Sequence, residues 1–392
     1  MDITDKKIWL KTIKSADKVL FSKDRIEQFN DTVNKNIFAS SKENIPDFSA
    51  LISSAKTLTS RNTKVDISSV KTEIKNAFYA DEFALTINRT AMRALPIKNF
   101  LFSGEERDID RMQETGLEIG EALRILLKGK RWAYTKSPFY DGWVKLAEIA
   151  IGDKEVVKQF ANAKEFFVVT GNYVYTIPSI NKKISMRMFG MGAKLVKAES
   201  GIAVSGEVQT VQRVVKLPVK KRGKLAFESA LVSHNADVSD GYLTPTRRNI
   251  LEEALKLVGE RYGWGDSFGA RDCSSTIRSI YETMGILLPR DAKEQEKIAL
   301  GRRFDFSQMS LKEKLKALDK FQLGDLLFMK GHVMMYFGKV NGTHYIFHNF
   351  RRTYENGRSI PVNSALITPI GVPFSAEKTA LSEIRTGIVM EE

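Results

Sequence analysis

The sequence predicts a multidomain chain with a helical stabilising segment over residues 1–78, two small all-β barrels over 79–155 and 156–240, and an α+β domain over 241–392. Three observations carry this expectation. At 392 residues the chain exceeds what one hydrophobic core usually organises. Its middle consists of short apolar runs broken by turn residues, the texture of small barrels. Its last part shows helical periodicity first and strand-like runs afterwards, which indicates an α+β domain.

The opening stretch is polar and rich in Ser, Thr and Lys, with a helical apolar pattern at Val19, Ile26 and Phe29 and expected caps at Ser15 and Ser22. Strand-and-turn texture follows in Ala122-Leu123-Arg124-Ile125-Leu126-Leu127, Gly129 and Gly142-Trp143-Val144. It returns after the polar break at Gly152 to Lys158, in Phe166 to Thr170, Tyr173 to Tyr175 and Ala193 to Val196. Thr244-Pro245-Thr246 before Ile250, Leu251, Ala254, Leu255 and Val258 reads as an N-capped amphipathic helix that opens the last domain. Within it, Cys273 precedes Ile277, Ile280, Tyr281 and Met284 at helical spacing, with Gly285 as the stop, so Cys273 is expected at a helix N-terminus. Val333 to Val340 and Thr343 to Phe350 flank Asn341-Gly342, a strong hairpin signal.

With 43% hydrophobic and 28% charged residues, the composition is that of an ordinary globular protein. The net charge of +14 favours encounter with polyanions, among them the acidic polymers of a bacterial envelope, without choosing between them. The basic residues are spread along the chain, as on a solvated surface, and no nucleic-acid-binding module accompanies them. One cysteine permits no intramolecular disulfide and excludes Cys-rich zinc frameworks. No run approaches the roughly 20 apolar residues of a transmembrane helix. The residues after Met1 lack a signal-peptide core, so the expected place is the cell envelope if a leader has been removed and the cytoplasm otherwise.

A thiol becomes a good nucleophile when ionised, and a helix N-terminus with a neighbouring imidazolium promotes this. The chain offers His234, His332, His344 and His348. Only His332, at the start of a strand, and His348, on its hairpin partner, are well placed; His344 beside the turn is expected to be exposed. A lone cysteine on an apolar helix face is more often packing than chemistry. Register adds a difficulty. A strict two-residue turn at Asn341-Gly342 sets His348 opposite Met335 and sends the two imidazoles to opposite faces, whereas a three-residue loop with a glycine bulge pairs His348 with Met334 and restores a common face.

The segment Arg261-Tyr262-Gly263-Trp264-Gly265, Arg271-Asp272-Cys273-Ser274-Ser275, Leu288-Pro289-Arg290-Asp291 and Gln295 closely resembles the NlpC-type cell-wall peptidases. Gly324-Asp325-Leu326-Leu327-Phe328, Gly331-His332-Val333 and Phe347-His348-Asn349 match in order. Upstream, Asp110 to Gln113, Gly120-Glu121 and Tyr140 to Val144 resemble the first of two bacterial SH3-like barrels, and Ala16 to Asn30 the helical segment of the same group. The resemblance implies a papain-like C-terminal domain in which Cys273 is the nucleophile, His332 the general base and His348 the residue that orients His332. It implies that Tyr262 and the Cys273 N–H stabilise the oxyanion, that Asp272 and Ser274 line the substrate pocket with Asp272 receiving the α-amine of an L-alanine, and that Tyr140 closes the pocket.

The implied reaction is hydrolysis between γ-D-glutamate and meso-diaminopimelate or lysine in peptidoglycan stem peptides, by a monomer without metal or cofactor. Ala292 departs from the family, standing where many relatives carry a small hydroxyl residue. An amidase or acyltransferase on the same Cys-His pair and a non-catalytic wall-binding protein are the alternatives. The Asp272 carboxylate argues for a cationic substrate group against the first, and intact Cys273, His332 and His348 count against the second.

Overall fold

Chain order and spatial grouping part company in the computed structural model, which describes residues 2–39, 44–60, 63–65, 67–104, 108–199, 204 and 211–392. Residues 1–34, 242–263 and 270–392 group into one unit, and residues 35–241 and 264–269 into a second. The expected helical segment 1–78 is therefore divided between residues 34 and 35. Residues 200–203 and 205–210 of the expected second barrel lie outside the described residues.

In the first unit an antiparallel sheet of six strands carries the core, in the spatial order Arg302–Asp305, Thr386–Val389, Leu326–Met329, His332–Val340, Thr343–Glu355, Arg358–Pro369. The helix Cys273–Glu282 packs on its central strands, burying Ile277, Ile280 and Tyr281 completely. That helix forms where the sequence provides a reciprocal cap. The Asp272 carboxylate accepts from the Ser275 N–H at 3.0 Å, and the Ser275 hydroxyl accepts from the Asp272 N–H at 2.9 Å. It is complete by Glu282, and Gly285 takes φ 76° just beyond. The helix Arg247–Lys256 is capped by Thr246, as its sequence predicts.

The N-terminal 34 residues are fastened to this unit by specific bonds. Leu20 pairs with Pro245, and Asn30 brackets the turn after the nucleophile helix, donating to the Gly285 carbonyl at 2.8 Å and accepting from the Leu287 N–H at 2.9 Å. Ser22 stands at the N-cap position of the helix Lys23–Val33 but makes no capping bond, its hydroxyl donating to Glu392 Oε1 at 2.8 Å instead, whereas Ser15 caps nothing and Val19 is exposed outside the helix. Trp9, fully buried, meets Phe337 and Tyr345 edge-on at 4.8 and 5.4 Å.

The second unit holds a nine-stranded sheet that includes Ala122–Lys128, Trp132–Lys136 and Asp141–Lys145, with Trp143 at the centre of its core beside Tyr134 and Phe48. A buried Arg93–Asp110 ion pair of 2.8 Å ties the Asp110–Gln113 turn to this barrel, and Asp110 also accepts from the N–H groups of Leu101 and Met112. A separate core gathers Val169, Val174, Phe189, Val215 and Val232. No helix among the described residues is long and apolar enough to cross a membrane.

Candidate active site

The hairpin register decides where the imidazoles point. Val340 pairs with Thr343 across a two-residue turn in which Asn341 and Gly342 take φ 49° and 81°, the positive values that Asn-Gly accepts at little strain. Of the two registers left open, the turn is the two-residue one. The extra residue lies inside the strand instead: Gly338 pairs with Tyr345 but Tyr336 with Ile346, leaving Phe337 as a bulge. Beyond it Met335 faces Phe347, which sets His348 opposite Met334 and returns both imidazoles to one face.

Packing explains why the bulge sits there. Phe337 turns into the contact with Trp9, and a Cβ at Gly338 (φ 140°) would come within 2.7 Å of Thr12 Oγ1. The N-terminal segment thus covers the irregularity that aligns the site.

With register restored, His332 Nε2 and His348 Nδ1 lie 3.1 Å apart, and His348 Nε2 lies 3.1 Å from Thr368 Oγ1 on the next strand. His348 stacks on Phe350 at 4.1 Å and 9°, and Phe374 stands edge-on to both imidazoles. Asn349, pointing the opposite way by strand alternation, donates to the Arg271 carbonyl at 2.9 Å and to Thr276 Oγ1 at 3.0 Å, fastening the start of the nucleophile helix. Adjacent residues of one strand therefore hold the His332 ring and the start of the Cys273 helix in place.

Cys273 is the first residue of its helix and is buried. The N–H of Val333, the residue after His332, hydrogen-bonds its sulfur, which fixes thiol and base strand together. Burial, followed by the Asp272 charge, pushes the thiol up to about 12 against the pull of the Val333 N–H, Arg290 and the Ser274 N–H. Burial likewise lowers His332 to about 4, opposed by Asp272, and His348 is held well below its ordinary range by burial and by His332. The resting pair is thus neutral thiol and neutral imidazole, not the preformed ion pair of an exposed site. With His332 Nε2 directed at His348, Nδ1 is the atom left to take the thiol proton.

Tyr262 is buried beside the sulfur; burial, then the charges of Cys273 and Asp272, raise its hydroxyl far above the usual phenol range and keep it a donor. Asp272 is also buried. Burial favours its neutral form, but Arg290, with Nη2 2.7 Å from Oδ2 and Nη1 3.2 Å from Oδ1, outweighs this and holds the carboxyl below its ordinary value. Ser274 donates to Asp272 Oδ1 and accepts from Arg290 Nη1, both at 3.0 Å. A substrate ammonium at Asp272 has to share the carboxylate with Arg290, a partner to which the sequence reading gave no role.

Tyr140 belongs to the second unit, where its hydroxyl donates to Glu114 Oε2 at 2.6 Å. His344 corrects an expectation: it is 3% exposed and bonded through Nδ1 to the Tyr336 hydroxyl at 2.8 Å. His234 is exposed. Thr368 and Asn349 escaped the reading of roles because their partners are distant in sequence, His348 on the neighbouring strand for Thr368 and the start of the Cys273 helix for Asn349; Asn349 stood inside a quoted motif, while Thr368 carries no local signal.

Residues 259–359 match the NlpC/P60 family, and residues 98–145 match the SH3 domain of SH3b1 type. The chain carries an NlpC/P60 domain. NlpC/P60 is a family of cell-wall cysteine peptidases, and the match encloses Cys273, His332 and His348. Dipeptidyl-peptidase 6 of Lysinibacillus sphaericus is 30% identical over 99 residues, 25% of this chain and 32% of that protein, so the match spans about a third of the relative's length. The fold is shared with an NlpC/P60 endopeptidase from Photobacterium damselae subsp. piscicida, at TM-score 0.79 and 19% identity over 98% of this chain and 97% of that one. An NlpC/P60 family protein from Bacillus cereus aligns at TM-score 0.55 and 18% identity over 79% of this chain and 100% of that one.

Proposed function

We propose that this NlpC/P60 domain hydrolyses the amide between γ-D-glutamate and a diamino acid in peptidoglycan stem peptides that begin with a free L-alanine. The observation that carries the reading is a buried thiol at a helix N-terminus, bonded by the N–H of Val333, the residue that follows His332, whose ring directs Nε2 at His348. Geometry of this kind suits acyl transfer. The thiol proton passes to His332 Nδ1 as sulfur attacks the γ-carbonyl carbon, and the oxyanion receives hydrogen bonds from the Cys273 N–H and the Tyr262 hydroxyl. His332 then returns the proton to the departing amine, and water, deprotonated by the same ring, cleaves the thioester.

Asp272 favours a cationic group at the substrate's amino end, with Arg290 keeping the carboxylate ionised. Ser274 lines the same pocket. The relative's description as a dipeptidyl-peptidase agrees with release of an L-Ala-γ-D-Glu dipeptide from a free N-terminus. The enzyme acts as a monomer on wall peptides, either in the envelope or on recycled fragments in the cytoplasm.

The test is incubation with L-Ala-γ-D-Glu-meso-diaminopimelate, its lysine counterpart and both N-acetylated forms, followed by mass spectrometry. Release of L-Ala-γ-D-Glu from the free peptides alone is expected. Cleavage at a different amide, or equal cleavage of the acetylated peptides, overturns the assignment.

A further inference from the structure

We infer that Asn349 is a positioning residue for catalysis, which keeps the Cys273 thiol in register with the imidazoles by gripping the chain on both sides of it. The inference rests on the Cys-His reading of the site and is independent of which peptide is cut. Tyr262, His332 and His348, the three positions proposed to serve the thiol, are each followed by a residue that bonds the start of the nucleophile helix. The Gly263 N–H donates to the Arg271 carbonyl at 2.8 Å, and the Val333 N–H bonds the Cys273 sulfur. Asn349 Nδ2 donates to the same Arg271 carbonyl at 2.9 Å and to Thr276 Oγ1 at 3.0 Å.

The partners fix the direction of every bond in this set. A carbonyl oxygen only accepts, so the atom of Asn349 that faces Arg271 has to be the amide nitrogen. Thr276 Oγ1 donates its one proton to a second carbonyl, that of Asp272, at 2.6 Å. Its oxygen is therefore left to accept from Asn349. Both protons of the Asn349 amide are committed in this way, and at 1% exposure water cannot replace either acceptor. Oδ1 of the same side chain has no partner among the described residues, so the polar work of Asn349 is these two donated bonds.

Arg271 and Thr276 stand two residues before and three residues after Cys273. A grip on both sides fixes where the helix begins and how it is rotated, whereas a bond on one side would leave it free to pivot. Asn349 follows His348 directly, so the strand that carries the orienting imidazole also sets the place of the sulfur. Tyr262 joins at the same point, since its backbone bridges Arg271. The proposed oxyanion donor, nucleophile and imidazole pair thus share one junction, in which Asn349 supplies the side chain that ties strand to helix. A small displacement of the sulfur from the base costs rate and leaves substrate binding intact.

Asn349→Leu keeps the size and removes both bonds; Thr276→Val removes one of them, and Thr276→Ser keeps both. With the full chain and the free stem peptides, kcat is expected to fall roughly 10- to 100-fold in Asn349→Leu with KM unchanged, to fall less in Thr276→Val, and to recover in Thr276→Ser. The readout independent of substrate is hydrogen exchange at the Val333 amide, measured against the Ile280 amide in the middle of the nucleophile helix. That ratio should rise several-fold in Asn349→Leu, because the sulfur leaves its donor, and hold in Thr276→Ser; a loss of stability alone would speed both amides together. Wild-type kcat in Asn349→Leu overturns the inference, as does an unchanged exchange ratio or an equal loss in the two Thr276 variants. Should no stem peptide be cut by wild type, the proposed substrate falls, while the exchange ratio still decides the role of Asn349.

Discussion

One hairpin buries two imidazole arrangements, and they differ in what lies beside them. Near the turn, His344 bonds the Tyr336 hydroxyl at 2.8 Å, with Asp319 3.6 Å away. At the far end, His332 and His348 bond each other at 3.1 Å. All three rings are held below their ordinary range, with burial the largest cause each time. A buried, hydrogen-bonded histidine with a depressed pKa is thus no mark of catalysis on its own. Only the far end is tied to a thiol, the Val333 N–H holding the Cys273 sulfur, and a bulge at Phe337 separates the two ends.

The sharpest break of this comparison is Cys273→Ala or His332→Ala, each expected to remove peptide cleavage by on the order of 10⁴-fold or more. Cys273→Ala should leave chemical-denaturation stability within about 1–2 kcal/mol of wild type, since one small buried atom is lost. Cleavage persisting in either variant would sink the catalytic assignment. His348→Ala follows, with a loss of roughly 10–100-fold in kcat, because His332 keeps its chemistry and loses its orientation. At the near end, His344→Gln should leave kcat/KM unchanged and cost about 1–2 kcal/mol from the loss of a buried hydrogen bond, as read by urea denaturation; a large loss of activity there would erase the distinction between the ends.

The bulge links both ends. Gly338→Ala places a Cβ against Thr12 at a φ that L residues rarely adopt, and is expected to destabilise by roughly 1–3 kcal/mol, lowering activity only as far as the Phe337 bulge shifts. A variant of unaltered stability and activity would show that this contact does not set the register.

The most diagnostic effect is on pH. His332 stays neutral in the folded state down to about 4, whereas in the unfolded chain it takes a proton near 6.5. Its contribution to stability is therefore complete above 6.5 and is lost as pH falls from there through about 4. The melting temperature should decline over that interval, less steeply in His332→Phe, and the acid limb of kcat/KM should lie below 6.5. A limb at or above 6.5 would mean a base in contact with solvent.

Much of this was legible in sequence because the physics involved is local. Cys273 at a helix start follows from an apolar spacing of three and four residues and the stop at Gly285, and the Asn341-Gly342 turn follows from the positive φ those residues tolerate. The order of motifs around Cys273, His332 and His348 identified the domain. Residues 1–34 looked like part of a separate segment, because the bonds of Asn30 and Trp9 reach more than 250 and 300 residues along the chain.

The sequence by itself singled out the thiol and the imidazoles proposed to react and determined which elements bear them, since side-chain chemistry and backbone propensity act within a few residues. The tertiary structure alone decided the rest: the displaced bulge that turns both imidazoles to one face, the Arg290 that occupies Asp272, the burial of His344, and the threonine behind His348. Each depends on which strand or helix packs alongside, a choice made by burial over the whole unit and written in no single stretch of chain.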